Sequence, residues 1–300
     1  METVNTEESL RKLEVPGVIR FDQGQGGLWR AKVQTERSSA EIYLHGAQVT
    51  HFQLAKEHPL LFLSRLSQFA SGKAIRGGIP ICFPWFGPRD GDVMHGFARI
   101  TEWQLIETAS AGSGAATLRL RLPRVEAAAA WPAFQAELLI TVSDRLALEL
   151  MVSNLAPDQP LAFESCLHTY FAVGEISEVS IAGLQGRFYL DKTDLGARKR
   201  EAADRIRISS ETNRVYLDTP DVVELRDGRW GRVVRVEKTG SASTVVWNPW
   251  TTQRMADFAP EEHQGMVCVE AGNVGLNKVV LKPGEQAMLR MILSSALLAG

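Results

Sequence analysis

The 300-residue sequence contains little cysteine. Its three cysteines are an odd number, are widely spaced and lie in apolar surroundings: Cys82, Cys166 and Cys268. Secreted disulfide frameworks use even sets of cysteines, whereas reducing compartments keep thiols free. We therefore predict three buried free thiols in a cytoplasmic protein.

Long apolar runs and an excess of charge are also missing. No segment reaches the roughly 18 uncharged apolar residues that a membrane helix needs. The polar, acidic N-terminus METVNTEESL lacks the apolar centre of a secretory signal. The formal net charge of -2 gives no general attraction to nucleic acid or to an anionic membrane. We therefore expect neither as a partner, and any anion site must be local.

The sequence lacks the common signatures of metal and nucleotide sites. It has no CxxC pair, and its six histidines show no close ligand spacing, so we predict no metal. The glycine-rich stretches 24–29 and 112–117 do not open a helix after a strand and are predicted as hairpin turns. No GxSxG nucleophile motif occurs. We expect a function without cofactors.

Alternation of apolar and polar residues dominates the rest of the chain. It predicts β-strands at 41–54, 117–122, 145–154, 233–238, 243–248 and 266–271. The segment ITVSDRLALEL predicts a hairpin that turns at Ser143-Asp144. Many short strands at even spacing favour one large β-sandwich over two domains.

Predicted helices are few and short: 5–13, 124–130 and 194–206. The first is expected to begin with Asn5 as N-cap and Glu8 as its capping-box partner. No repeat, low-complexity run or linker divides the chain. We therefore predict an all-β fold with a few short helices, formed as a single domain over 1–300, with 1–15 as a lead-in segment.

The densest set of candidate binding residues is GKAIRGGIPICFPWFGPRDGDVMHGFAR, residues 72–99. Arg76 precedes two glycines that let backbone amides approach a ligand, and an extended HGFAR would place His95, Phe97 and Arg99 on one side. Guanidinium groups beside such amides match a phosphate. Three aromatic residues could form an apolar wall for a sugar: Phe83, Trp85 and Phe86. The alternative is a loop in which the arginine forms a structural salt bridge.

The second candidate segment is FESCLHTYFAV, residues 163–173. As a strand it places Glu164, Cys166, His168 and Tyr170 on one face, and Phe163, Leu167 and Phe171 on the other. A carboxylate at Glu164 would raise the pKa of His168 and keep it protonated, as a general acid requires. The alternative is a structural histidine.

The third candidate segment is MVCVEAGNV, residues 266–274. Val267 and Val269 share one face of the predicted strand, and Met266, Cys268 and Glu270 share the other. We expect Glu270 at the strand end, over a cleft. The alternative is a buried glutamate that is paired with an arginine.

Five motifs, taken in order, resemble one known family: IRGGIPICFPWFG, HGFAR, HTYFAVG, VVWNPW and MVCVEAGNV. They are similar to the glucose-6-phosphate 1-epimerase (hexose-6-phosphate mutarotase) branch of the galactose mutarotase-like superfamily. The similarity extends over roughly residues 20–295, nearly the whole chain. It implies a β-supersandwich whose active site lies on a concave sheet.

The resemblance also implies a role for individual residues. His168 of HTYF corresponds to the general acid, and Glu270 of CVE to the general base. Arg76 of RGG and Arg99 of HGFAR correspond to the residues that bind the substrate and its phosphate. His95 is expected to line the same pocket.

Two positions depart from the family pattern. Met94 stands where the family often has glutamine immediately before HG, and Asn213 of ETNRVYL stands where it usually has an aspartate that holds a sugar hydroxyl. Asparagine keeps the capacity to hydrogen-bond but has no charge. We expect both residues among the substrate contacts, with consequences for sugar preference rather than for the acid and the base.

We therefore predict an enzyme that interconverts α and β anomers of a hexose 6-phosphate, glucose 6-phosphate first, as a monomer or weak dimer. One alternative is a non-catalytic protein that binds or senses sugar phosphates. The other is a glycoside hydrolase, which would need two carboxyl groups about 5–10 Å apart. The candidates for that pair are Glu270 with Glu164, or Glu270 with Asp257.

Overall fold

The computed structural model describes residues 5–112, 114–219 and 222–298. Antiparallel β-strands form most of it, which confirms the all-β class. The first twelve strands are β1 Ile19–Gln23, β2 Trp29–Gln34, β3 Ser38–Tyr43, β4 Gln48–Leu54, β5 Ile81–Cys82, β6 Gln104–Ser110, β7 Ala116–Arg121, β8 Phe134–Val142, β9 Leu146–Asn154, β10 Leu161–Phe163, β11 Ser165–Leu167 and β12 Tyr170–Ala172. The next eleven are β13 Val179–Ala182, β14 Phe188–Asp191, β15 Ala197–Arg200, β16 Arg205–Ile206, β17 Thr212–Leu217, β18 Val222–Asp227, β19 Arg232–Thr239, β20 Ser243–Asn248, β21 Met266–Asn273, β22 Val279–Leu281 and β23 Gln286–Leu297. The helical elements are short: α1 Glu7–Arg11 and 3-10 turns at Gln25–Gly27, Ala98–Ile100, Glu126–Ala128, Ile176–Glu178, Pro260–Gly265 and Gly275–Asn277.

Two large sheets carry the architecture. One has nine strands in the order β16-β13-β18-β19-β23-β9-β8-β7-β6. The other has eight, in the order β15-β14-β17-β20-β21-β11-β5, with β12 also paired to β21. A four-stranded sheet of β1 to β4 and the pair β10-β22 complete the fold. The main apolar core contains residues of both large sheets, so the eight-stranded sheet has one face on this core and one face available for a site.

β21 shows how the sequence separates these two faces. Val267 and Val269 belong to the main core, whereas Met266 and Cys268 belong to a second cluster on the opposite face. This confirms the predicted alternation. Glu270 is buried within the strand rather than at its end, so that expectation is wrong.

Most of the predicted strands are confirmed, with small shifts of their ends. Segment 41–54 is the exception, because it contains parts of β3 and β4 joined by a turn. Gly46 in this turn has a φ of 75°, and a Cβ atom there would lie 2.7 Å from the Arg99 carbonyl oxygen. Only glycine therefore allows this close approach to the last residue of HGFAR. The predicted hairpin at Ser143-Asp144 is confirmed between β8 and β9.

The helix predicted at 194–206 is wrong. This segment turns at Gly196, which has a φ of 79°, and then forms β15 and β16. The Lys199 amine bonds across the hairpin to Asp191 at 2.8 Å. The charged, alternating sequence suits an edge strand, and the pairing outweighs a weak helical periodicity.

The helix predicted at 5–13 forms only over Glu7–Arg11. Its N-cap is Thr6 rather than Asn5. The side-chain amide of Asn5 donates to the Trp103 carbonyl at 2.7 Å, and this bond connects the lead-in segment to the rest of the fold. Ser9, rather than Glu8, completes the capping box. Residues 1–4 of the predicted lead-in lie outside the described residues.

The remaining local predictions concern short turns. The helix predicted at 124–130 is reduced to a single 3-10 turn, Glu126–Ala128. The glycine-rich stretches 24–29 and 112–117 connect β1 to β2 and β6 to β7, as predicted, although Ser113 lies outside the described residues. No helix in the described ranges is both long and apolar enough to cross a membrane. A single domain over 1–300 stays a proposal, supported by one core that runs through α1 and both large sheets.

Candidate active site

The candidate site lies on the face of the eight-stranded sheet that is turned away from the main core. Cross-strand register places Asn213, Trp247, Cys268 and Tyr170 in one row across β17, β20, β21 and β12. The neighbouring row runs from Val215 and Val245 to Glu270. The half-buried Asn213 therefore lies beside Trp247 on the site face.

His168 lies directly opposite Glu270. Leu167 pairs with Ala271 before it and Tyr170 pairs with Cys268 after it, so the register is unchanged across the gap between β11 and β12. The amide of Thr169 donates to the Leu167 carbonyl at 2.9 Å, which makes a three-residue turn centred on His168. This turn divides the predicted strand without moving its side chains to the other face.

Aromatic rings hold the His168 imidazole. It stacks on Tyr170 with centroids 4.7 Å apart and planes 10° apart. Trp247 meets it edge-on at 6.0 Å, and His95 at 5.4 Å. The ring is buried and its orientation is set by its neighbours.

The imidazole and the Glu270 carboxyl meet inside the pocket. His168 Nδ1 lies 3.2 Å from Glu270 Oε1. The two groups are not aligned as a hydrogen bond, and neither atom has another partner among the described residues. The second oxygen, Oε2, accepts from the Cys166 thiol at 3.2 Å. The pair can exchange protons with a ligand that enters between or beside these atoms.

Burial moves the pKa values of the pair in opposite directions. The pKa of His168 is well below its usual value, first because of burial and then because of His95, Arg99 and Arg76. The pKa of Glu270 is well above its usual value because of burial, against which the Cys166 hydrogen bond acts. The predicted rise in the pKa of His168 is therefore wrong.

Glu164 is not the partner of His168. Its carboxylate accepts from the backbone amide of Phe86 at 2.9 Å, and its other oxygen accepts from the amide of Gly275. Glu164 lies between β10 and β11, where regular alternation does not apply. Glu164 therefore links two loops at the site, and it does not act on the pKa of the His168 imidazole as predicted.

Arg76 is held by two groups that the sequence did not connect with it. Its Nε and Nη2 atoms both lie 3.1 Å from Asp257 Oδ2. Its Nη1 atom donates to the Tyr170 hydroxyl at 3.0 Å. The guanidinium is thus fixed beside the Tyr170 ring, which stacks on His168. Arg76 also forms the salt bridge that was expected if its role were structural.

The segment HGFAR is a turn, so the expectation of an extended chain is wrong. His95 and Gly96 have φ values of 65° and 77°, and Arg99 follows in the 3-10 turn Ala98–Ile100. A Cβ atom at Gly96 would lie 2.0 Å from the Phe83 carbonyl oxygen, so this position requires glycine. The His95 ring nevertheless lies 5.4 Å from the His168 ring, and Arg99 acts with it to lower the pKa of His168.

Arg99 is buried with part of its guanidinium unsatisfied. Its Nη2 atom donates to the Met94 carbonyl at 2.6 Å, whereas Nε has no partner in the described part of the chain. Met94 therefore contributes its backbone, and its residue is 51% exposed at the rim.

His95 is held in one tautomer. Its Nδ1 atom accepts from the Gly87 amide at 3.0 Å. Burial, together with Arg99 and Arg76, lowers the pKa of His95 to about 3. The neutral ring therefore carries its proton on Nε2 and can donate from that atom.

Only one member of the predicted aromatic wall contacts the site. Phe83 and Trp85 belong to the main core. Phe86 instead packs with the cluster on the site face, 4.7 Å from the His95 ring and 6.4 Å from the His168 ring. Pro84 lies between Phe83 and Trp85, and residues 83–86 do not form a regular strand, so proximity in sequence did not place the three rings on one surface.

Two contacts of this site were not predicted from the sequence, where Asp257 was considered only as a possible carboxylate of the hydrolase alternative. Cys166 was placed on the correct strand face, but its contact with Glu270 depends on the pairing of β11 with β21. Gly272 opposite it allows this pairing, because a Cβ atom there would lie 2.9 Å from the Cys166 sulfur. Asp257 comes from a loop 181 residues after Arg76, and no local signal links the two.

Replacement of Cys166 tests the control of the buried carboxyl. In Cys166→Ala, loss of the thiol donor should raise the pKa of Glu270 further. If Glu270 acts as a general base, the acid limb of kcat/KM should then move upward by about one pH unit, with a roughly tenfold loss near neutrality. Cys166→Ser should keep the donor and the wild-type profile.

The matched control is Cys82→Ala, because Cys82 is the buried cross-strand neighbour of Cys166. It should leave the pH profile in place. The same shift in Cys82→Ala, or no shift in Cys166→Ala, would contradict a role for the thiol hydrogen bond.

Comparison of sequences relates the chain to aldose epimerases. A family profile described as aldose 1-epimerase matches residues 30–294. A Cenchrus ciliaris protein named "Putative glucose-6-phosphate 1-epimerase" is 37% identical over 268 residues, which cover 85% of this chain and 81% of that protein. A protein of the same name from Escherichia coli (strain K12) is 32% identical over 248 residues, covering 81% of this chain and 82% of that protein.

Comparison of structures agrees with the sequences. The crystal structure of a "putative mutarotase" from Salmonella typhimurium superposes with a TM-score of 0.87 at 26% identity, covering 97% of this chain and 99% of that one. Galactose 1-epimerase from Lactobacillus acidophilus NCFM superposes with a TM-score of 0.72 at 14% identity, covering 94% and 99%. The similarity to galactose 1-epimerase, at 14% identity, shows the fold alone. The predicted galactose mutarotase-like fold is confirmed.

Proposed function

The chain belongs to the aldose 1-epimerase family, and from this premise we propose that it interconverts the α and β anomers of a hexose 6-phosphate, with glucose 6-phosphate as the expected substrate. The observation that carries the proposal is the contact of the His168 imidazole with the Glu270 carboxyl at 3.2 Å, near the buried Arg99 and the half-buried Arg76. The names of the relatives support the phosphorylated sugar. The three buried free thiols support a cytoplasmic location.

The reaction needs two proton transfers and no change of oxidation state. Glu270 removes the proton from the C1 hydroxyl while His168 gives a proton to the ring oxygen. The bond between C1 and the ring oxygen breaks, and the aldehyde forms. Rotation about C1–C2 and reversal of both transfers closes the ring as the other anomer. Each group contributes on the order of 10²–10⁴ to the rate.

The substrate's charge supplies the protonation state that this cycle needs. Burial favours a neutral imidazole and a neutral carboxyl, a pair that carries the same number of protons as an imidazolium with a carboxylate. The positive charges of Arg99 and Arg76 lower the pKa of His168 further. A phosphate bound to these arginines cancels their repulsion and raises the pKa of His168. Binding thereby favours the acid form.

The arginines differ in how they can hold the phosphate. Arg99 has a buried Nε without a partner in the part of the chain that is described, so it has a donor to offer. Arg76 shares its charge with Asp257 and can present the remaining edge of its guanidinium. We assign the phosphate to the space between them. A guanidinium fork suits this anion because its donors match pairs of phosphate oxygens.

The other predicted contacts have narrower roles. His95 donates from Nε2 to a sugar oxygen, and the Asn213 amide, beside Trp247, reaches a hydroxyl at the other end of the row. Met94 acts through its carbonyl, which orients Arg99. A small-molecule sugar phosphate is the partner that this set requires, and we propose a monomer or weak dimer.

The test is anomerisation of freshly dissolved α-glucose 6-phosphate, followed by polarimetry or NMR exchange, with α-glucose in parallel. We expect acceleration of both sugars. The kcat/KM should be roughly 100-fold higher for glucose 6-phosphate, because glucose lacks the phosphate that accepts charged hydrogen bonds from the arginines. Equal values for the two sugars would contradict the phosphate site. Binding of the sugar phosphate without acceleration would identify a sensor protein instead.

The glycoside hydrolase alternative receives no support from the geometry. Both oxygens of Glu164 accept backbone hydrogen bonds, and Asp257 is paired with Arg76. Each carboxylate is therefore engaged rather than free to attack or protonate a glycosidic bond. Release of product from a disaccharide phosphate would overturn this conclusion.

A further inference from the structure

The proposed mechanism leaves Cys268 without a role, although it lies next to the reacting groups. Cys268 is on β21 two residues before Glu270, on the same face, and is fully buried. Its sulfur, a nitrogen of His168 and a carboxyl oxygen of Glu270 all lie within 4.8 Å of one another. β21 and the turn at His168 between β11 and β12 thus bring a sulfur, a nitrogen and an oxygen ligand to one point.

Two of these ligand atoms are poised for an additional partner. His168 Nδ1 and Glu270 Oε1 are buried and lack hydrogen-bond partners within the described ranges. Their separation of 3.2 Å is close to the distance between two ligands of one tetrahedral ion. Thiolate, imidazole and carboxylate are the ligands of zinc, and the sulfur favours soft ions over magnesium or calcium.

We propose that Cys268, His168 and Glu270 form an inhibitory site for a soft divalent cation, zinc or cadmium, that binds to the sugar-free protein and competes with the sugar. The ion replaces the thiol proton of Cys268 and the carboxyl proton of Glu270, which both leave to water, and takes one lone pair each from sulfur, nitrogen and oxygen. Protein ligands then fill three positions, and the fourth faces the pocket. The acid and base are both consumed, so bound ion and catalysis exclude each other.

This inhibition rests on the proposed function, but the binding of the ion does not. We therefore test binding first, by titrating the sugar-free protein with CdCl₂ and recording the ultraviolet thiolate-to-cadmium charge-transfer absorption. One equivalent should bind with this signal in the wild type. Cys268→Ala should lose the signal and bind cadmium at least about tenfold more weakly, since even loss of an outer partner costs a metal site that much. MgCl₂ should produce no competition.

The matched control is Cys82→Ala, which removes another buried thiol of the same cluster without touching the three ligands. It should bind cadmium as the wild type does. In the anomerisation assay, cadmium should inhibit the wild type competitively and reversibly with EDTA, and Cys268→Ala should require at least tenfold more ion.

The two proposals fail in different ways. Loss of the charge-transfer signal in Cys82→Ala but not in Cys268→Ala would overturn the metal site. An active enzyme that cadmium neither binds nor inhibits would do the same. A protein that binds one cadmium through Cys268 but does not accelerate anomerisation would keep the site and overturn the function.

Discussion

Glu270→Gln should lower kcat for anomerisation by about 10²–10⁴ while leaving KM nearly unchanged. Glutamine has the size of glutamate and can still accept the Cys166 hydrogen bond, but it cannot take the proton of the C1 hydroxyl. The protein should fold normally, because a neutral amide of the same size replaces a carboxyl group whose neutral form burial already favours. Polarimetry gives the rate, and thermal unfolding gives the stability.

Glu164→Gln is the matched control. Glu164 is another carboxylate of the pocket wall, but it binds backbone amides and has no proposed proton transfer. It should cost some stability and less than tenfold in kcat, because an amide oxygen can replace only part of a charged acceptor. A Glu270→Gln enzyme with near-native turnover would remove Glu270 from the mechanism.

The geometry of the pair also determines how the losses of activity in single variants combine in a double variant. His168 and Glu270 are directly opposed in register and meet at 3.2 Å, so they act on one substrate as a unit. Groups that act as a unit show strongly non-additive losses when both are removed. The effects of His168→Asn and Glu270→Gln should therefore not multiply in the double variant.

The strand periodicity carried most of what the sequence could predict about this site. It placed Cys166, His168 and Tyr170 on one face and Cys268 with Glu270 on one face, because side chains alternate along any regular strand. It could not show that the two faces are the same surface. That depends on the pairing of β11 and β12 with β21, which joins segments about a hundred residues apart.

The errors arose where the backbone leaves regular geometry. Glu164 lies at a break between strands, so its carboxylate turns to two loop amides. HGFAR contains two residues with positive φ, so alternation along an extended chain does not describe it. The sign of the pKa shift at His168 was wrong because burial, which a single strand does not reveal, outweighs any one neighbouring charge.

Asp257 was beyond the reach of sequence patterns for a different reason. It pairs with Arg76 across 181 residues, from a loop with no periodicity. This pairing changes what removal of the arginine means. Arg76 carries charge toward the phosphate, but it also neutralises a carboxylate that would otherwise face the same space.

Arg76→Met should therefore reduce kcat/KM for glucose 6-phosphate by about 100-fold, and for glucose by no more than about tenfold. The variant loses a charged donor and exposes the phosphate to an unpaired Asp257. Arg76→Met combined with Asp257→Asn should recover about tenfold on the phosphorylated sugar only, because the repulsion is removed while the donor stays absent. Arg65→Met serves as control, since Arg65 is paired with Glu261 at the exposed surface.

The alternative role of Arg76 predicts another pattern. If Arg76 only holds the Tyr170 hydroxyl, at 3.0 Å, its loss disturbs the ring that stacks on His168 and lowers kcat equally for both sugars. Asp257→Asn should then give no recovery. Equal losses without recovery would thus remove Arg76 from the phosphate site and make it a residue that positions the acid. A selective loss that Asp257→Asn partly reverses can arise only if the arginine and the carboxylate both act on the phosphate charge.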